Sequence, residues 1–228
     1  MTMKKTIAVI LLVFYVTGIS AQTKALRGKR LGVLGDSYVT NHKDVIENTW
    51  HYKFAMKYGM QYLPCGKGGN CIAVDDSHWG IGMYRRYKDM ADSLDYVIVI
   101  GGHNDSSKGR IGNVITIEKF KERLAILCEG LIDRYPTAKI FFFTPWTIEN
   151  FMGSPRQQVV DAMKEVCGSY GIPVFDAARQ GNMFVASEAF RRKYMQGKGG
   201  ADHAHLNAKG HERFLPTAEH FILQHIEE

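Results

Sequence analysis

The chain has 228 residues, of which 45% are hydrophobic and 23% are charged, and its formal net charge is +6 at pH 7. This length suits one domain with a sizeable core, because a chain of about 150 residues already buries roughly two-thirds of its unfolded surface. The sequence contains no linker, repeat or low-complexity segment that would indicate a second domain. The basic residues are scattered among acidic ones, so the charge does not indicate a nucleic-acid-binding protein.

The first residues are typical of an export signal. Two lysines, at positions 4 and 5, precede an unbroken apolar run over residues 7–15, which is followed by the small residues of GISA. A membrane-spanning helix is the alternative, but the run is shorter than the roughly 20 apolar residues that a bilayer requires. We therefore predict a signal peptide over residues 1–21 and a mature domain over residues 22–228. That domain would act in the periplasm or outside the cell, without stable membrane insertion.

Five short apolar runs predict buried strands. Their hydrophobicity is continuous rather than alternating and they are rich in β-branched and aromatic residues, as strands covered on both faces are. The runs are RLGVLG at 30–35, MQYLPCG at 60–66, DYVIVIGG at 95–102, KIFFFTPW at 139–146 and IPVFDA at 172–177.

Helical patterns lie between these runs and after the last one. The spacing predicts helices over 44–58, 117–135 and 207–226, the first with Val45, Trp50, Phe54 and Tyr58 on one side. Ser154 and Pro155 form a typical helix start, with a capping side chain and a preset first residue, before RQQVVDAMKEVCGSYG. The alternation of strand and helix predicts an α/β fold with a parallel sheet.

Four cysteines remain at positions 65, 71, 128 and 167. In an oxidising compartment Cys65 and Cys71 would be close enough in sequence to form a disulfide, but spacing alone leaves this open. Cys128 and Cys167 lie in helical patterns and are predicted to be core residues.

Polar residues follow three of the predicted strands, in GDSYV, GKGGN and GGHND. Ligands of parallel sheets bind beyond the carboxyl ends of the strands, so these segments are where chemistry is expected. Ser37 in GDSYV is a candidate nucleophile, although a serine at such a turn also caps helices.

A serine nucleophile needs a base, and the base needs an orienting group. His205, three residues after Asp202 in DHAHLNAKGH, provides both, since this spacing lets the carboxylate reach one ring nitrogen while the other faces the serine. A zinc site is the alternative for this histidine-rich segment, but it contains no H-E-x-x-H or comparable ligand set. We predict no metal there.

Acyl transfer also needs donors for the developing oxyanion. The backbone N–H groups of Ser37 and Gly69 and the side-chain amide of Asn104 are the candidates, and Gly68 is an alternative to Gly69. A glycine-rich turn and a loop asparagine also occur for purely structural reasons.

These residues carry a family resemblance. Ser37 in GDSY, Gly69 in GKGGN, Asn104 in GGHND and His205 in DHAHLN follow the order of the four blocks of the SGNH, or GDSL-type, hydrolases, and the resemblance spans about residues 30–211. It implies a flavodoxin-like three-layer α/β/α sandwich with five parallel strands, and a serine esterase or acylhydrolase that needs no metal or other cofactor. Two residues depart from the usual pattern of the family. Tyr38 stands where leucine or isoleucine is common, and His103 stands where a small residue is frequent.

Export and the range of the family favour a carbohydrate O-deacetylase, acting on small or polysaccharide esters. Aromatic residues near predicted loops, at Trp79, Tyr84 and Trp146, are candidates for stacking on sugars, and Lys108, Arg110 and Lys198 lie in loops near the expected mouth. A lysophospholipase or short-chain lipase is the alternative enzyme. A secreted carbohydrate-binding module without activity is the alternative of another class.

Overall fold

The computed structural model describes residues 25–107 and 109–226, so the predicted signal peptide lies outside the described residues. The strands are β1 (Arg30–Gly35), β2 (Gln61–Gly66), β3 (Tyr96–Ile100), β4 (Lys139–Phe143) and β5 (Val174–Phe175). The helices are α1 (Ser37–Thr40), α2 (Trp50–Lys57), α3 (Met83–Arg86), α4 (Arg110–Asn113), α5 (Ile117–Arg134), α6 (Pro155–Ser169), α7 (Ala177–Gln180), α8 (Glu188–Tyr194) and α9 (Ala208–Ile226).

The five strands form one parallel sheet in the order β2-β1-β3-β4-β5. Helices cover both faces, which confirms the predicted three-layer α/β/α sandwich. The prediction that every strand is buried on both faces is wrong for β2, because β2 is an edge strand and none of its residues is buried. Its position also explains how Pro64 is tolerated, since an edge strand can lack one backbone donor.

Alternating residues of the central strands supply two separate cores. Val97 and Val99 of β3 face the layer that contains α5 and α6, whereas Ile98 and Ile100 face the layer that contains α2 and α9. The phenylalanines of β4 divide in the same way: Phe142 joins the first core, and Phe141 and Phe143 join the second. Apolar side chains on both faces are therefore what the continuous hydrophobic runs encode.

The long helices agree with the predicted ones, with one exception at a helix start. Ser154 caps α6 by accepting a hydrogen bond from the backbone N–H of Gln157, and Pro155 is its first residue. The predicted helix over 44–58 begins only at Trp50, because Thr49 is extended and caps α2 through its hydroxyl. Val45 therefore lies outside the helix and is 57% exposed.

All four cysteines are free thiols. The Cys65–Cys71 disulfide left open by the sequence is not formed, and the Cys65 sulfur instead accepts a hydrogen bond from Arg86. Cys128 and Cys167 are fully buried, as predicted. Within residues 25–107 and 109–226, no helix is long and apolar enough to cross a bilayer.

The sheet order places the candidate site. From β1 the chain moves outward to β2, and it then returns to form β3 on the other side of β1. The carboxyl ends of β1 and β3 thus form the point where strand order reverses, which is where ligands bind in open parallel sheets. Ser37 follows β1 and Asn104 follows β3, so both lie at this edge.

Candidate active site

Ser37 is the first residue of α1, directly after β1, and it is only 7% exposed. The cap of this helix is Asp36, whose carboxylate accepts a 2.8 Å hydrogen bond from the backbone N–H of Tyr38. The alternative interpretation of Ser37 as the capping residue is therefore wrong. With the capping position filled by Asp36, the Ser37 hydroxyl is available to the site.

The structure brings the three predicted catalytic residues together. Oγ of Ser37 lies 2.8 Å from Nε2 of His205, although the two residues are 168 positions apart, and Nδ1 of His205 lies 2.8 Å from Oδ2 of Asp202. An ionised carboxylate only accepts hydrogen bonds, so Nδ1 carries the proton and Nε2 presents its lone pair to the serine. This is the arrangement that a general base requires.

Asp202 is held by more than the histidine. Its Oδ1 accepts hydrogen bonds from the backbone N–H groups of Ala204, at 2.7 Å, and His205, at 2.9 Å. Partial burial works to raise the pKa of Asp202, but the hydrogen bonds from the His205 ring and from these two N–H groups outweigh it, and the pKa lies well below its ordinary value. Asp202 is therefore ionised at neutral pH, as an orienting carboxylate has to be.

Gly69 is a position where only glycine fits. Its φ is +74°, and a Cβ added there would lie 2.3 Å from atoms of the Trp79 ring, whereas a Cβ on Gly68 would meet nothing within 4 Å. Among the described residues, no acceptor lies within hydrogen-bond geometry of the backbone N–H groups of Ser37, Gly68 or Gly69. The sequence left Gly68 and Gly69 as alternatives, and it is at Gly69 that the close approach of Trp79 requires glycine.

Asn104 contacts Asp36, the residue before the serine, but its amide is already engaged. Nδ2 donates to the backbone oxygen of Asn70 at 2.9 Å and to Oδ2 of Asp36 at 3.1 Å. Since an amide nitrogen carries only two protons, an oxyanion would have to replace one of these acceptors. The longer bond, to Asp36, is the one to replace.

Asp36 is fully buried, and burial raises its pKa to about 7. Near neutral pH this carboxyl group is therefore divided between its charged and neutral forms. The neutral form is a weaker acceptor for Asn104 than the carboxylate is. Protonation of Asp36 thus loosens the contact that competes with an oxyanion.

His42 stacks on the candidate base. Its ring is nearly parallel to that of His205, with centroids 4.2 Å apart and an interplanar angle of 12°. Burial and the neighbouring His205 lower the pKa of His42. Both Asn41 and His42 have positive φ values, 62° and 51°, so the backbone adopts an uncommon conformation to present this ring.

The histidines of the C-terminal segment do not form one cluster. His203 is exposed, and His211 is buried with Nε2 3.0 Å from Oδ1 of Asn41. The groups that do converge are His42, Asp202 and His205, whose potential ligand atoms lie within 4.8 Å of one another. Stacked imidazoles direct their lone pairs along parallel planes, so a metal ion would require one ring to turn and would compete with Ser37 for His205.

A buried glutamine joins the two halves of the site. Nε2 of Gln196 donates to the backbone oxygens of Asn41 and Leu206, at 3.1 and 3.0 Å, and its backbone N–H donates to the oxygen of His205 at 2.9 Å. The loop that carries the histidine is thereby tied to the loop that follows α1. Gln196 could not be identified from the sequence, because nothing in its neighbourhood distinguishes it.

The remaining candidates separate into packing residues and surface residues. Tyr84 and Trp146 are buried, at 8% and 3% exposure, so of the three aromatic candidates only Trp79 retains part of its ring surface for a ligand. Arg110 is also buried and donates to the backbone oxygen of Asn104. Lys198 is exposed, and Lys108 lies outside the described residues.

The model of the GDSL-like lipase/acylhydrolase family matches residues 33–213. The chain belongs to this family. The resemblance inferred from the four motifs is thereby confirmed, and with it the ester-hydrolase class of the protein. No curated protein sequence matches the chain.

Solved structures share the fold at low sequence identity. A protein from Lactobacillus plantarum has a TM-score of 0.72 and 23% identity, with 87% of this chain and 98% of that chain covered. A psychrotrophic esterase from Pseudoalteromonas sp. has a TM-score of 0.64 and 15% identity, with 88% and 100% covered. An active-site mutant of a family two carbohydrate esterase from Clostridium thermocellum has a TM-score of 0.60 and 15% identity, with 84% and 62% covered.

Proposed function

We propose that this family member is an exported serine esterase that removes O-acetyl or other short acyl groups from carbohydrate. The observation that carries the catalytic part is the chain of two 2.8 Å contacts, from Ser37 through His205 to Asp202. In this proposal Ser37 is the nucleophile, His205 is the general base and Asp202 orients the base.

The reaction proceeds in two steps. In the first, Ser37 Oγ bonds to the acyl carbon while its proton passes to Nε2 of His205, and the oxyanion is bound by the N–H groups of Ser37 and Gly69 and by the amide of Asn104. The carbon–oxygen bond then breaks, and the departing alcohol takes the proton from His205. In the second, water attacks the acyl-serine with His205 again as base, which releases the carboxylic acid and returns the proton to Ser37.

Two features favour a short acyl group on a polar alcohol. The side chains near Ser37 and His205 include Tyr38, His42, His103 and Asn104, all of them polar or aromatic. One structural neighbour is a carbohydrate esterase, which agrees with a sugar ester as the substrate.

The first experiment compares the wild type with Ser37→Ala on phenyl acetate. We expect the variant to lose at least about 10³-fold in kcat, since the oxyanion donors alone leave only residual catalysis. His220→Ala is the matched control, because His220 is an exposed residue of α9. Unreduced hydrolysis by a folded Ser37→Ala would contradict the serine mechanism and favour a binding module.

The second experiment sets the substrate class. Acetate release from acetylated oligosaccharides is measured beside fatty-acid release from lysophospholipids, at equal enzyme concentration. We expect turnover of the acetylated sugars to dominate. Hydrolysis of the lipid alone would instead identify a lysophospholipase and exclude the carbohydrate proposal. Export is tested separately by fractionating cells that express the full chain, with the mature protein expected outside the cytoplasm.

A further inference from the structure

A buried arginine lies close to the candidate site and has only uncharged hydrogen-bond partners. Arg156 is 3% exposed, and it donates from Nε to Ser106 Oγ at 2.7 Å and from Nη1 to the backbone oxygen of Trp146 at 2.8 Å. Its third partner is Nδ1 of His103, at 2.9 Å from Nη2. A buried cation fixed in this way is costly, so its position merits a functional explanation.

Arg156 determines the protonation of His103. A guanidinium only donates hydrogen bonds, so Nδ1 of His103 has to accept and the ring proton has to be on Nε2. The Tyr38 hydroxyl lies 2.9 Å from the same Nδ1. Burial and the charge of Arg156 lower the pKa of His103 to about 3, so the ring remains neutral. The result is an imidazole with one fixed donor.

That donor is available to a ligand. Nε2 of His103 donates to no acceptor among the described residues, since both hydrogen bonds of the ring use Nδ1. Every buried side-chain nitrogen or oxygen among these residues does have a hydrogen-bond partner, so Nε2 is not one of the buried atoms. Nε2 is therefore accessible to solvent. His103 directly precedes Asn104, and its ring packs on Tyr38, which in turn meets the ring of His205 edge-on. The donor is thus adjacent to the candidate ester-binding residues.

We propose that His103 is a substrate-binding residue whose Nε2–H donates a hydrogen bond to an acceptor oxygen next to the scissile ester. This inference rests on the proposed esterase function and narrows its substrate to esters with a second acceptor, such as a sugar hydroxyl beside the acetylated position. The mechanism itself assigns no role to His103.

Three esters test the proposal. Outside the ester group, phenyl acetate has no acceptor, a mono-O-acetylated methyl xyloside has hydroxyl and ring oxygens on the alcohol side, and phenyl methoxyacetate has one ether oxygen on the acyl side. The variants are His103→Phe, which removes the donor, and His103→Gln, whose amide nitrogen reaches the position of Nε2. His220→Phe is the control for a histidine exchanged elsewhere. The quantity compared is kcat/KM for each ester relative to phenyl acetate, with thermal unfolding recorded for every variant.

We expect His103→Phe to lower this ratio by about tenfold for the xyloside or for the methoxyacetate, mainly through KM, as loss of one hydrogen bond predicts. The ester that loses activity shows on which side the acceptor lies, and His103→Gln is expected to recover most of the loss. Equal losses on all three esters, or no loss in a folded His103→Phe, would overturn the proposal. So would a wild type that hydrolyses phenyl acetate and prefers neither second-acceptor ester. Ser37→Ala distinguishes failure of the His103 proposal from failure of the esterase proposal. If this variant still hydrolyses phenyl acetate, the esterase proposal itself is refuted.

Discussion

Replacing Asp202 by asparagine is expected to damage the site more than replacing it by alanine. In the structure Oδ1 of Asp202 accepts two backbone hydrogen bonds and Oδ2 accepts one from His205. An asparagine would keep its oxygen towards the two backbone donors, because the flipped amide would lose two bonds to preserve one. Its NH₂ group would then face Nδ1 of His205.

That contact inverts the tautomer of His205. Nδ1 would become the acceptor, and Nε2 would carry a proton towards Ser37, where a base needs a lone pair. A triad with this defect loses about 10⁴-fold in kcat. Alanine leaves the tautomer free, so part of the enzyme keeps the Nε2 lone pair facing Ser37, although the charge that stabilises protonated His205 is lost. For stability the order is opposite, because alanine loses both backbone contacts.

The assay is kcat for phenyl acetate hydrolysis at pH 8, together with the free energy of unfolding in urea. We expect Asp202→Asn to be the more stable and the less active variant. An asparagine variant within tenfold of wild-type kcat would show that the carboxylate does not orient His205. Equal kcat values for the two variants would show that tautomer inversion is not the cause of the loss.

Two further predictions concern the residues around Ser37. Gly69→Ala is expected to lower kcat for phenyl acetate at least tenfold, because its Cβ would lie 2.3 Å from the Trp79 ring, whereas Gly68→Ala has open space and serves as the matched variant; equal effects of the two would refute this. Asp36→Asn is expected to flatten the pH dependence of unfolding. The folded chain keeps the Asp36 proton up to about pH 7 and the unfolded chain loses it near the ordinary aspartate pKa of 3.8, so wild-type stability falls as pH rises through this window, by up to about 4 kcal/mol. The free energy of unfolding in urea is measured at several values between pH 4 and 7. The same change with pH in wild type and variant would contradict the buried-carboxyl explanation.

The sheet was predictable because its signal is local and repeated. Each strand of the interior is a short apolar run that ends in glycine or polar residues, and burial on both faces produces that pattern whatever the order of the strands. The edge strand β2 has the same kind of run but is not buried, since hydrophobic continuity does not distinguish an edge from a centre. The start of α2 was predicted too early, at residue 44 instead of Trp50. The sequence pattern is compatible with Thr49 either inside a helix or as its cap.

The Asp202–His205 pair could be predicted from spacing, since three residues within one turn bring the two side chains together. The contact between His205 and Ser37 has no such local signal, because it depends on strand order and on where the last loop lies. It was expected from the need of a serine nucleophile for a base and from the family resemblance. Three residues near the site belong to no recognisable sequence motif, namely His42, Arg156 and Gln196. Their roles depend on tertiary contacts that no local pattern reports.

The contact between Ser37 and His205 depends on hydrogen bonds that the sheet does not supply. Ser37 is fixed by β1 and by the Asp36 cap, but His205 lies on a loop between α8 and α9 that has no strand to define it. Its position relative to Ser37 is set by the turn around Asp202 and by Gln196, which binds both the loop after α1 and the backbone of His205. Because these are hydrogen bonds from buried or half-buried groups, each is costly to leave unmade. The 2.8 Å contact between serine and histidine is therefore maintained by the polar residues between the two loops, together with the apolar core that holds α1, α9 and Leu206, the residue after the histidine.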